Sequence, residues 1–117
     1  MSVSQTLRNQ VRLDVAKELT YTARIVFGTE AVQLGLATRS SERPHEEALE
    51  IAREIAGRSP HAVRAAKKLL DATFVSSVEE GLLLEEKSQR SLLGQPNQIE
   101  AVRANMEKRA PKFLDPT

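Results

Sequence analysis

The chain has no cysteine and no tryptophan, and aromatic residues make up only 3% of its 117 positions. Without thiols there are no disulfides and no thiolate metal sites, which fits a reducing compartment. With so few rings, the core must be built from Leu, Val, Ile and Ala. The same scarcity counts against a stacking platform for nucleic-acid bases. Neither sign of charge dominates, since 17 basic and 16 acidic residues leave a net +1. That balance provides no field to attract nucleic acid or an anionic membrane. No apolar run approaches the roughly 20 residues of a membrane span. The opening MSVSQTLRNQ lacks the apolar centre of a signal peptide. The five glycines are scattered and form no phosphate loop. A cytoplasmic protein with neither nucleic acid nor membrane as partner is expected, and the length leaves room for one compact domain.

What the chain does have is helical periodicity. Pro44 to Phe74 reads as two helices joined by a tight corner. Ala48, Ile51, Ala52 and Ile55 recur at three- and four-residue steps, as do Ala62, Ala66, Leu69 and Thr73. Gly57 suits the left-handed position after a helix, Ser59 an N-cap, and Pro60 the first helical position. The spacing predicts that the Ile51/Ile55 face packs on the Leu69/Leu70 face across this corner.

Upstream, residues 4–12 could form a short helix, and Asp14 is placed to cap a second. The run Arg24 to Phe27 is short and β-branched, more strand than helix. Gly28 breaks it, Thr29 caps a short helix ended by Gly35, and Leu36 to Thr38 forms a second brief extended segment. Downstream, Ser77 with Glu80 three residues on is a capping box opening a helix to about Leu93. Its consecutive Leu82, Leu83 and Leu84 spread over about 200° of circumference. This helix is therefore buried on two sides or meets another subunit. Gly94 to Asn97 reads as a loop, and Gln98 to Lys108 as a last helix with Ile99, Val102 and Met106 on its apolar edge. The expected fold class is mainly α with one or two very short strands.

Residues that could carry chemistry are few. His45 and His61 each fall in the first turn of a helix and are not spaced as a metal pair. Glu79-Glu80 and Glu85-Glu86 are adjacent pairs whose members diverge. Ser59, Ser77 and Ser88 have no identifiable base. Arg64, Lys67 and Lys68 lie on the exposed side of one helix, either a solvated face or an anion contact.

Three blocks carry a resemblance further. AKELTYTARIVFGTEAVQLGLATR, EIAREIAGRSPHAVRAAKKLL and EAVRANMEKRAPKFLD stand in order over nearly the whole chain. Together they resemble the C-terminal part of the enoyl-CoA hydratase/isomerase (crotonase) family. The first is similar to its helix, Thr-Gly-Arg turn and Glu-Ala helix. The second is similar to its paired helices around Ser-Pro, and the third to its closing helix with Glu-Lys-Arg. Ala23 stands where the family usually has Gly, Ala37 where Val is common, and Asn105 where some members have Phe.

The resemblance implies that residues 1–43 are the end of the spiral core and 44–117 a helical region that covers the site and builds oligomer contacts. Family members act on acyl-CoA thioesters. Backbone donors hold the thioester oxygen, and carboxylates move protons at the α and β carbons. By the family's pattern those groups lie upstream of Met1, so the chain reads as truncated and no catalytic residue is assigned to it. Lys108, in the Glu-Lys-Arg match, is the expected contact to a phosphate of coenzyme A. The bland role for Lys108 is a cation at a helix C-terminus. No tightly bound cofactor is expected, the coenzyme A thioester being substrate. The implied partners are further copies of the chain or a full-length relative. The alternative is a non-catalytic helical oligomerisation or interaction module.

Overall fold

The computed structural model describes residues 6–116, and among them every regular element is helical. The helices are α1 (Leu13–Thr22), α2 (Gly28–Leu34), α3 (Pro44–Ala56), α4 (Pro60–Thr73), α5 (Val78–Leu92) and α6 (Pro96–Met106). The residues gather into two compact units, Met1–Ala48 and Leu49–Thr117, rather than the single domain that length suggested. No described helix is long and apolar enough to cross a membrane.

In the first unit the helix expected over residues 4–12 lies partly outside the described residues. Within them, the N–H groups of Gln10 and Val11 donate to the Leu7 carbonyl. Asp14 is not the cap of α1. Arg12 holds the N-cap position, and Asp14 pairs with its guanidinium at 2.7 Å. At the other end of α1, Ala23 takes the left-handed conformation, φ 49°, and its N–H donates to Leu19. A Cβ strains that conformation, so the family's glycine fits this turn better than the alanine found here. Ala23→Gly is accordingly expected to stabilise the unit by about 0.5–1 kcal/mol. A denaturation midpoint that is unchanged or lower would contradict this.

Arg24 follows immediately and ties two helices together. Its guanidinium makes a two-pronged contact to Glu30 on α2, at 2.7 and 3.0 Å, and its Nε donates to Glu18 on α1 at 3.0 Å. Neither expected short strand forms among the described residues. A β-branched run is a strand only when a ladder partner accepts its backbone groups, and residues 24–27 and 36–38 have none. Instead Leu36 and Ala37 both donate to the Ala31 carbonyl, closing α2 beyond Gly35. Thr29 does not cap α2 either, because the helix starts one residue earlier, at Gly28, with Phe27 as N-cap.

The second unit is built around α4 and α5, which pack as a hairpin across residues 74–77. Its local signals are those read from the sequence. Ser59 Oγ accepts the Ala62 N–H with Pro60 at the first helical position. The Ser77/Glu80 capping box is complete, with bonds of 3.2 and 3.0 Å. Glu80's carboxyl is held below its ordinary value by the Ser77 backbone and hydroxyl donors.

The tertiary expectation fails. Ile55 is 48% exposed and Leu70 68% exposed, so the Ile51/Ile55 and Leu69/Leu70 faces do not bury one another. Gly57 is not left-handed; its N–H donates to Arg53 and Glu54 in an ordinary helical ending. A chain that leaves α3 without reversing direction through a left-handed residue has no local device folding it onto α4. Leu82, Leu83 and Leu84 are likewise exposed. Among the described residues, only Val11, Asn97 and Ala104 are buried.

Candidate functional site

The C-terminal corner of the second unit concentrates the polar organisation. α6 begins two residues earlier than the sequence suggested, with Gln95 as N-cap and Pro96 at the first helical position. Asn97 thereby moves from a loop into the first turn, where it is 2% exposed. Its Oδ1 accepts the Leu114 N–H at 2.8 Å, and its Nδ2 donates to the Leu114 carbonyl at 2.8 Å. That pair of bonds fixes which way the amide points. Its remaining N–H meets His61 Nδ1 at 2.9 Å. An amide NH2 only donates, so Nδ1 accepts, and the neutral ring carries its proton on Nε2. Sequence reading missed Asn97. The one available signal was Gln95-Pro96, since a proline at the first helical position draws the next residue into the helix.

At the other end of α6 the chain closes in a Schellman turn. The N–H of Lys108 donates to Asn105 and that of Arg109 to Ala104. The turn needs a left-handed residue, and Lys108 supplies it at φ 52°. Arg109 then folds back onto α6, meeting Glu100 at 2.6 and 2.9 Å, and it also binds Glu107. Glu100 accepts the Lys112 N–H at 2.8 Å as well. Of the Glu-Lys-Arg triplet, Glu107 and Arg109 are thus committed to each other, and Arg109 to Glu100 as well. Lys108 is exposed, without an ion pair among the described residues, one residue past the C-cap Glu107. A β-carbon in the left-handed region costs about 1 kcal/mol, and glycine would remove that cost. What lysine adds there is a mobile cation.

The Arg109 guanidinium, with the Lys112 N–H, holds the Glu100 carboxyl down to about 2 from its ordinary 4.5. Because the folded value lies below the unfolded one, the stabilisation is complete above pH 4.5 and is lost as pH falls through about 2. The Glu100 carboxyl carbon should titrate near pH 2 when followed by NMR. A midpoint near the ordinary 4.5 would show that the Arg109 contact does not persist in solution.

Among the described residues no three His, Asp or Glu side chains are grouped to hold a metal ion. His45 and His61 are not brought together: His61 meets Asn97, and His45 is exposed in the first turn of α3. At this corner Lys108 is an exposed cation beside a locked turn, able to contact an anion.

Comparison with known proteins gives this arrangement its setting. The sequence model described as "Enoyl-CoA hydratase/isomerase" matches residues 1–116. The chain belongs to that family. It is 33% identical over 112 residues to "Probable enoyl-CoA hydratase 2, mitochondrial" of Arabidopsis thaliana, covering 94% of this chain and 37% of that protein. It is 30% identical over 116 residues to "Methylglutaconyl-CoA hydratase, mitochondrial" of Mus musculus, again covering 94% of this chain and 37% of the relative. Among solved structures, the enoyl-CoA hydratase from Bacillus anthracis superposes with a TM-score of 0.91 at 31% identity. That superposition covers 96% of this chain and 44% of the hydratase. The chain therefore spans less than half the length of these relatives.

Proposed function

We propose that this chain supplies the C-terminal helical region of an enzyme that hydrates or isomerises acyl-CoA thioesters. Residues 1–43 close the spiral core in this reading, and 44–117 cover the site and build subunit contacts. The observation that carries it is the family match along residues 1–116 in a chain spanning under half of its relatives. Exposed apolar faces support it. Leu70, Leu82 and Met106, all more than 60% exposed, belong on surfaces that something covers. The missing cover is the remainder of such an enzyme or another subunit. A cysteine-free sequence suits the cytoplasm as the place where it works.

In this reading Lys108 contacts a phosphate of coenzyme A. The test replaces the matching part of the Bacillus anthracis hydratase with this chain. The chimera should hydrate an enoyl-CoA, whereas the 117 residues alone should not exceed the uncatalysed rate. Lys108→Ala in the chimera should weaken coenzyme A binding by about 1–2 kcal/mol, the scale of one charge-assisted bond. Alanine keeps the β-carbon at φ 52°, so turn strain is unchanged and the charge alone is removed. Equal affinity at low salt would leave Lys108 only its place at the helix end. Turnover by the isolated chain would overturn the reading itself.

A second reading, a non-catalytic helical interaction module, is favoured by one observation. Leu82 and Leu83 stay more than 60% exposed on a helix that already packs on α4. It requires self-association at tens of micromolar, read by light scattering. A sharp monomeric mass would refute it.

A further inference from the structure

The α4/α5 hairpin carries a groove of about 540 Å³ that the family reading does not use. Its width follows from the sequence. Ala65 and Ala72 on α4 share the groove with Ser88 and Ser91 on α5, and side chains this small leave the space between the helices open. Leu69 and Leu84 supply an apolar lining.

Charge is segregated there. Arg64, Lys68 and Lys87 all line the groove, and no aspartate or glutamate does. The chain as a whole is nearly balanced, with 17 basic and 16 acidic residues. Other cations on these two helices are paired: Lys67 with Asp71 and Arg90 with Glu86. Arg64, Lys68 and Lys87 have no ion pair among the described residues. Arg64 and Lys68 are four positions apart and so lie on one face of α4. His61 lines the same groove, and with Nδ1 taken by Asn97 its free donor is Nε2–H. Ser91's hydroxyl is spent on the Ser88 carbonyl at 2.7 Å, leaving Ser88 as the hydroxyl donor. Three cations with two neutral donors beside an apolar lining suit an anion of charge near −2 on a hydrocarbon stem.

We propose that this groove binds a single-chain amphiphile with a phosphate monoester head. The proposal does not rest on the acyl-CoA reading. The probe is n-octyl phosphate below its micelle concentration, titrated calorimetrically into the 117-residue chain, with octanol and inorganic phosphate in parallel. Octyl phosphate should bind at least tenfold more tightly than either half-molecule, and its affinity should fall as salt rises. The Lys68→Gln/Lys87→Gln double variant should lose roughly tenfold or more, each exposed lysine having supplied one charge-assisted contact. Lys67→Gln, on the same helix but paired with Asp71, should change affinity less than twofold. Circular dichroism should be unchanged in all variants, because these side chains are exposed.

Equal binding by wild type and the double variant would overturn the proposal. So would an equal loss in Lys67→Gln, which would mean unspecific charge attraction, or inorganic phosphate binding as tightly as octyl phosphate. If the double variant instead lowers the mass seen by light scattering, the groove is filled by a second copy of the chain, and the amphiphile is excluded.

Discussion

Asn97→Ala is expected to destabilise the Leu49–Thr117 unit by about 2–4 kcal/mol and to free its C-terminal segment. The side chain is 2% exposed and uses both of its polar atoms, so truncation removes three hydrogen bonds at once. Two of them hold Leu114, which has no helix or strand of its own to satisfy its backbone groups. The loss has an upper bound, because a released tail regains water at both groups. Asn97→Asp separates the contributions. It keeps an acceptor for the Leu114 N–H but sets a carboxylate oxygen against the Leu114 carbonyl, so it should rescue little. Both variants should show new tryptic cleavage after Lys112 and a lower denaturation midpoint. An unchanged cleavage pattern with an unchanged midpoint would show that the amide does not anchor the tail.

What was legible in the sequence follows the range of the interaction. Ser59-Pro60 and Ser77-Glu80 act within four residues, and both caps form as read. Helix periodicity likewise identified α3 to α5 to within a residue or two. The pairing of their faces was not legible. A period shows which side of a helix is apolar and says nothing of what covers it. The Ile51/Ile55 stripe is a regular amphipathic face, yet Ile51 is only half-buried and Ile55 stays exposed. The same limit explains the strands, since residues 24–27 have the composition of a strand and lack its partner.

The left-handed positions divide along similar lines. Gly35 and Gly57 both follow a helix end as read, but only Gly35 takes the left-handed conformation. Ala23 and Lys108 adopt the conformation with no glycine to announce it. At Ala23 the family's glycine was the available clue. At the candidate site, the Glu-Lys-Arg match drew attention to Lys108. What only coordinates could add is that Glu107 pairs with Arg109 and Arg109 also with Glu100, leaving the lysine as the unpaired member of the triplet among the described residues. Asn97 was illegible because its partners, His61 and Leu114, lie 36 and 17 positions away.

Gly35→Ala should be the most damaging single change in the first unit, at about 2–4 kcal/mol. Two separate costs meet at this residue. The first is conformational: φ is +83°, and a β-carbon there costs about 1 kcal/mol. Ala23 shows that this cost alone is tolerated in this chain. The second is contact. An added Cβ would lie 2.7 Å from the Gln10 carbonyl oxygen, a backbone atom with no rotamer to yield. Either the residue 7–11 turn or the end of α2 must then shift, and the latter loses the Leu36 and Ala37 bonds to Ala31, at 2.8 and 3.2 Å. Gly94 is the internal control. Its φ is +76°, nearly the same, yet an added Cβ there meets nothing within 4 Å. Gly94→Ala should therefore cost only the conformational share, about 1 kcal/mol. Hydrogen exchange keeps the units apart, with amides 31–37 reporting Gly35→Ala and the amides of Gln95, Gln98 and Ile99 reporting Gly94→Ala. Equal losses would mean that strain at φ sets both and that the approach to Gln10 carries no weight. A larger loss at Gly35 would place the difference on that one carbonyl.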